Sequence, residues 1–338
     1  MKTLTLLQPE SFAYSDTEKP SSLLPNEVLV KVHKIGICGT DYHAFWGRQP
    51  FFQYPRILGH ELGVEVIAIG SEVTEVTIGQ KCAVEPYLNC GKCWACERDL
   101  GNCCENLQVM GVHTDGGMRE YIKVPAHKLH VSDKLNYEQL ALVETLGIGA
   151  HAVERANVQS NDLVLVVGAG PIGLSVLEFV KLRGAKVAVV DRNTQRLDFC
   201  LEHKKADASI VANDQTVEQI LEVFGGKMPT VVLDATGSPA SMHQSFNYLA
   251  AGGRLVFVGL YQGDYQFNDP SFHKRELTIM GSRNSKPNNF KEIIAAMETG
   301  ELSVDSWISH RITFEEVAEQ LPKLYTEASL VKAIISWE

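Results

Sequence analysis

The chain has 338 residues, more than one ordinary hydrophobic core takes up, so two domains are expected. A hydrophobic fraction of 45% with 21% charged residues suits a folded globular protein and excludes a disordered or low-complexity chain. A net charge of -10 and a pI near 5.6 argue against a nucleic-acid partner, and no apolar run suits a signal peptide or a membrane span, so a cytoplasmic protein is expected.

Residues 1–35 carry alternating runs such as Val28-Leu29-Val30-Lys31-Val32, separated by Pro20 and Pro25, as half-buried antiparallel strands require. Next comes Cys38-Gly39-Thr40-Asp41-Tyr42-His43, then an aromatic loop through Phe45, Trp46, Phe51, Phe52 and Tyr54, then Gly59-His60-Glu61. A thiol, an imidazole and a carboxylate are zinc ligands, and an open fourth position would make the metal catalytic. Glu61 is a candidate both as ligand and as catalytic carboxylate. Thr40 and His43 are the right types to pass a proton from a substrate hydroxyl to water. Each residue alone has a plainer reading, the cysteine as a small buried hydrophobe and the histidine as structural. A second metal-type cluster and a cofactor motif outweigh it.

Strands are expected at 64–70 and 81–84, giving a β-rich first domain. Cys90-Gly91-Lys92-Cys93-Trp94-Ala95-Cys96 then sets three thiols at intervals of three, and Cys104 follows eight residues beyond Cys96. Four such sulfurs make a closed tetrahedral zinc site, which is structural because no position is left for substrate. Cys103 is the alternative fourth ligand. Disulfides are disfavoured without a secretory signal. A nucleic-acid-binding zinc ribbon is disfavoured by the acidic flanks Glu97, Asp99 and Glu105. Cys82, Cys103 and Cys200 are otherwise read as packing residues. After strands at 119–124 and 128–131, a helix is expected over 137–152 with Glu144 inside an apolar run. A carboxylate there needs a metal or a partner, so Glu144 is the candidate remaining catalytic ligand, or half of a buried ion pair with an Arg or Lys.

From Asp162 the pattern alternates strand and helix. Leu163-Val164-Leu165-Val166-Val167 reads as a buried parallel strand feeding Gly168-Ala169-Gly170-Pro171-Ile172-Gly173 and a helix to about Arg183. Gly168, Gly170 and Gly173 allow a tight turn and close approach to pyrophosphate, and the helix N-terminus at Pro171 and Ile172 offers N–H donors. Asp191 ends the next strand, eighteen residues past Gly173, where a carboxylate takes the adenosine ribose hydroxyls. This favours NAD over NADP, while the neighbouring Arg192 pulls the other way. Further strands at 209–211, 230–234, 254–258 and 277–281 complete six, a doubly wound parallel α/β Rossmann sheet. The loops after them bring Thr236, Val258, Leu260, Ser282 and Arg283 to its carboxyl edge as cofactor contacts. Beyond 285 two helices and a last strand are expected to return to the first domain. The expected domains are therefore 1–146 with 285–338, and 147–284.

Together, Cys38-Gly39-Thr40-Asp41, Gly59-His60-Glu61, the cysteine lobe, Glu144 and Gly168-Ala169-Gly170-Pro171-Ile172-Gly173 resemble the zinc-dependent medium-chain alcohol dehydrogenase family over essentially the whole chain. The resemblance implies a GroES-like catalytic domain, a Rossmann domain, two zinc ions per chain and a homodimer or homotetramer. Glu144, in place of a third thiolate or imidazole, is similar to the polyol, threonine and sugar-acid branch. The segments 46–55, 266–270 and 281–284 are similar to its members acting on aldonates such as L-galactonate or L-gulonate. A polyhydroxylated small molecule is thus the implied substrate. Arg48, Arg283 and Lys286 are candidates to meet a carboxylate. The rivals are a polyol or amino-alcohol dehydrogenase and a non-catalytic protein that binds NAD and zinc.

Overall fold

The computed structural model describes residues 1–49, 52–204 and 206–337, so Pro50 and Phe51 of the expected aromatic loop lie outside the described residues. The chain divides into two compact units, Met1–Glu144 with Lys286–Glu338, and Thr145–Ser285.

The first unit is built on a seven-stranded sheet whose central strand is Glu27–Gly36. Val28, Leu29, Val30 and Val32 are buried while Lys31 is only partly so, which leaves the period of two of a half-buried strand visible over Val30 to Val32. That strand pairs antiparallel with Glu61–Ile69, with Tyr121–Pro125 and with Lys332–Ser336, the last strand of the chain. Gly36 therefore lies opposite Glu61 on one side and Ile334 on the other. A Cβ at Gly36 would come within 2.0 Å of Glu61 Oε2, so the carboxylate occupies the space that any other residue would fill.

Two expectations shift locally. The stretch after Cys38 begins with a helix, Gly39–Phe45. The helix expected over 137–152 is two, Tyr137–Ala141 and Val143–Ala156, because the Leu142 N–H is shared between the carbonyls of Glu138 and Gln139.

The second unit carries a six-stranded parallel sheet in the order Ala208–Val211, Lys186–Asp191, Leu163–Val167, Val231–Asp234, Arg254–Phe257, Thr278–Gly281. The order reverses beside the first of these in sequence, Leu163–Val167, and ligands bind such sheets at the carboxyl edge of that point. The strands read as apolar runs because helices cover both faces; Val164, Leu165, Val166, Val187, Ala188, Val231, Val232 and Leu233 are fully buried. The helix Pro171–Leu182 lies so close to the turn before it that a Cβ at Gly173 would sit 1.7 Å from the Gly168 carbonyl oxygen.

Gly173→Ala must therefore move the helix or the turn. It is expected to cost about 1–3 kcal/mol of unfolding free energy, read from the urea midpoint, and to weaken dinucleotide binding in a nucleotide-fluorescence titration. An unchanged midpoint would show that the helix can shift freely.

Candidate active site and metal centres

Cys38 stands at the N-cap of Gly39–Phe45, directly after the central strand, and His60 and Glu61 lie where the chain enters the paired strand. One ligand atom each from Cys38, His60 and Glu61 lie within 4.8 Å of one another. The imidazole and the Glu61 carboxylate are buried. His60 Nδ1, Glu61 Oε2 and Asp41 Oδ1 are buried without a hydrogen-bond partner among the described residues. A soft sulfur, an imidazole and an unpaired carboxylate oxygen in one pocket fit a zinc ion.

Three neighbours with no role assigned from sequence build this pocket. Asp41 accepts a hydrogen bond from the Cys38 N–H through Oδ2 (2.9 Å), and its Oδ1 lies 3.9 Å from His60 Nδ1. Burial alone would lower the pKa of His60, but the Cys38 sulfur and the Asp41 carboxylate override it and hold the imidazole well above its usual value. Lys332 donates to Glu61 Oε1 at 2.5 Å, and both residues are buried. Tyr87 donates from its hydroxyl to Glu144 Oε1.

The structure differs from the sequence reading at Glu144. Its carboxylate lies outside the group of three ligand atoms and is held by Tyr87. The alternative expectation, an ion pair of Glu144 with an Arg or Lys, is not met among the described residues either: the buried Lys332 pairs with Glu61 instead. Burial raises the Glu144 pKa and the nearby His60 opposes that rise. Thr40 and His43 lie on the helix Gly39–Phe45 at i, i+3, on one face. His43 is exposed, and what burial it has, together with the charge of Arg48, lowers its pKa.

The sulfurs of Cys90, Cys93, Cys96 and Cys104 lie within 4.8 Å of one another, and the exposed Cys103 is not among them. The Cys90 N–H donates to Cys104 Sγ (3.3 Å), and the N–H groups of Glu105 and Cys96 bring the Cys93 pKa down to about 6. Four clustered thiols with amide donors to two of them fit a structural zinc ion.

In the second unit Gly170 caps the helix Pro171–Leu182, and among the described residues a Cβ at Gly170 would have Arg196 Nη1 alone within 4 Å, at 3.8 Å. Arg196 is a basic neighbour of the pyrophosphate turn that spacing alone does not reveal. Asp191 accepts from the N–H of Ala169 (2.6 Å) and of Asn193 (2.8 Å). A carboxylate has about four acceptor sites, so two remain for further donors. Arg192 beside it is exposed. Asp234 is fully buried and accepts from the Thr236 N–H and hydroxyl and from Ser241 and Ser245, fixing the turn that carries Thr236. The carbonyl of Leu260 lies 2.9 Å from where a Gly237 Cβ would be, so the loops bearing Thr236, Val258 and Leu260 meet backbone to backbone. Ser282 donates its N–H to the Phe257 carbonyl, bringing Ser282 and Arg283 to the same edge.

Residues 24–134 match the alcohol dehydrogenase GroES-like domain and residues 171–299 the zinc-binding dehydrogenase domain. The chain is 40% identical to the L-galactonate-5-dehydrogenase of Escherichia coli K12 over 344 aligned residues, covering 100% of this chain and 99% of that one. It belongs to the zinc-type medium-chain alcohol dehydrogenase family. An alcohol dehydrogenase of Escherichia coli CFT073 complexed with NADH superposes with a TM-score of 0.93 at 29% identity, covering 99% of each chain. A zinc-binding dehydrogenase of Sinorhizobium meliloti bound to NADP does so with a TM-score of 0.91 at 29% identity, covering 99% of this chain and 98% of that one. The chain is also 33% identical to the sorbitol dehydrogenase of Bacillus subtilis over 266 aligned residues, covering 76% of this chain and 74% of that one. No helix among the described residues is long and apolar enough to cross a membrane.

The Lys332–Glu61 pair gives a stability test on chelator-treated protein. Lys332→Met leaves a carboxylate buried without its cation and is expected to cost about 3–5 kcal/mol in urea denaturation. Adding Glu61→Gln should recover part of that loss. A double variant as unstable as the sum of the two singles would show that the groups act independently.

Proposed function

We propose that the protein is a zinc-dependent dehydrogenase that oxidises a secondary hydroxyl of a sugar acid, such as L-galactonate or L-gulonate, with NAD as hydride acceptor. The observation that carries this reading is the meeting of Cys38, His60 and Glu61 ligand atoms within 4.8 Å beside orphaned buried acceptors. Full-length identity of 40% to an L-galactonate-5-dehydrogenase supports the substrate class. Bound zinc would polarise the hydroxyl, and NAD would take up the hydride, leaving a ketone, NADH and a proton.

The chain's own residues do the rest. Cys38 and His60 hold the ion, with Glu61 or Glu144 completing the set, and Asp41 orients His60. Cys90, Cys93, Cys96 and Cys104 hold a second, structural ion. Gly168, Gly170, Pro171, Ile172 and Gly173 receive the pyrophosphate, and Asp191 the ribose, with Arg192 at its rim. Thr236, Val258, Leu260, Ser282 and Arg283 line the remainder of the dinucleotide. Thr40 and His43, on one helix face, carry the proton to solvent; His43 has a lowered pKa and so is unprotonated and able to accept it at neutral pH. Arg48, exposed and 6.0 Å from the Trp46 ring, would meet the substrate carboxylate, and Arg283 and Lys286 are its alternatives. A cytoplasmic homodimer or homotetramer is the expected working form. A non-catalytic protein that binds NAD and zinc would have no use for Cys38, His60 and the relay.

A screen of aldonates and matching polyols with NAD and NADP, followed by absorbance of the reduced nicotinamide, tests the substrate class. Arg48→Ala should lower kcat/KM about tenfold or more on the aldonate and little on the polyol; equal losses would rule out carboxylate recognition by Arg48. His43→Ala should lower turnover by about 10²-fold near neutral pH and much less at high pH, where hydroxide replaces the relay. An unchanged pH profile of kcat would refute the relay.

A further inference from the structure

The cysteine lobe is joined to the first unit's sheet by a buried polar group that no step above uses. Glu85, Lys128 and His130 are all buried. Lys128 Nζ donates to Glu85 Oε1 (2.5 Å) and to Asn89 Oδ1 (3.0 Å), and Glu85 Oε2 lies 3.2 Å from His130 Nε2. On its other side, Asn89 Nδ2 lies 3.6 Å from Cys96 Sγ. Asn89 immediately precedes the first lobe cysteine. At Gly101, which opens the short 3-10 helix Gly101–Cys103 of the lobe, a Cβ would come within 3.3 Å of Asn89 Nδ2, so the chain passes close to the amide there too.

We infer that Asn89 is the outer hydrogen-bond donor to the lobe's metal ligand Cys96, and that Lys128, itself held by Glu85 and His130, fixes which way round the Asn89 amide sits. The chemistry is directional. An ammonium has only donors, so the amide must turn its oxygen to Lys128, which leaves its NH₂ facing the sulfur. A metal-bound thiolate gains from such a donor, and outer partners of this kind hold ligands in place and tune the metal. Backbone amides already serve Cys93 and Cys104 in this way; Asn89 is the side-chain counterpart for Cys96. The buried charges, costly on their own, are then retained because they orient an amide that could otherwise flip.

The inference rests on the lobe holding zinc, and the test separates the two. In a Cys38→Ser background, which leaves the lobe as the thiolate metal site, the full-length protein would be loaded with zinc or with cobalt(II). Transfer of zinc to an excess of chelating dye would then be timed. Asn89→Asp has nearly the same shape but puts an acceptor against the sulfur, so its zinc should leave about tenfold or more faster, and faster than from Asn89→Ala. If Asn89 only fills space, the order reverses, with Asn89→Asp close to the parent and Asn89→Ala the faster; that order overturns the inference. Should Asn89→Asp not fold, the cobalt(II) charge-transfer band of Asn89→Ala decides. Losing the donor raises the sulfur's energy and moves the band to longer wavelength, and an unmoved band overturns the proposal. A parent lobe that takes up no metal would instead overturn the structural-zinc reading itself.

Discussion

The buried pair of Glu61 and Lys332 is the constraint on which the candidate catalytic pocket depends. It links the strand that follows His60 to the last strand of the chain, 271 residues away, across the central strand Glu27–Gly36. The side chain missing from Gly36 makes room for the carboxylate. Such a pair contributes little net stability compared with apolar residues of the same volume, because two ions are desolvated to make it. Its effect is positional: one Glu61 oxygen is committed to Lys332, and only the other, Oε2, stays open toward Cys38 and His60. The C-terminal segment thereby takes part in a pocket whose other residues come from the first half of the chain.

The dinucleotide edge of the second unit is fixed by the same economy of charge. Asp191 and Asp234 end neighbouring regions of one sheet, and both spend lone pairs on backbone or hydroxyl donors of the turns beside them. A carboxylate at the end of a parallel strand can do this because the strand's own amides are already paired within the sheet. Asp234, fully buried and four times hydrogen-bonded, has nothing left for a ligand; it sets the turn. Asp191, with two donors and partial exposure, can do both. The difference between a positioning and a binding carboxylate is thus the number of donors each has already met.

Most of the fold is legible in the sequence because its signals are local. Apolar runs ending in Gly168-Ala169-Gly170-Pro171-Ile172-Gly173 mark a parallel strand and its turn within a dozen residues, and the spacing of Cys90, Cys93 and Cys96 marks a metal lobe within seven. What the sequence leaves open depends on partners far along the chain. Glu144, inside an apolar stretch, shows that some partner exists but not which; the answer, Tyr87, is 57 residues distant. Lys332 looks like one more strand residue until the strand is placed beside Gly36. The helix Gly39–Phe45 escapes notice because glycine and threonine at its start are weak helix formers, yet it is this helix that sets Thr40 and His43 on one face and turns Asp41 back toward His60.

Both candidate metal pockets share a design that follows from what their ligands lack. A thiolate or an imidazole binds an ion in a definite orientation only if its remaining face is held, and a side chain can hold it only if its own orientation is settled. For His60 the candidate holder is Asp41, whose Oδ1 lies 3.9 Å from the His60 Nδ1 and whose second oxygen is anchored by the Cys38 N–H, so a ligand's backbone positions the neighbour of another ligand. For Cys96 the holder is Asn89, an amide whose two ends are nearly the same shape and opposite in chemistry. An aspartate needs only an anchor, but an asparagine also needs something to tell its oxygen from its nitrogen. A buried ammonium does that without ambiguity, which accounts for a lysine lying where an apolar residue would pack at less cost.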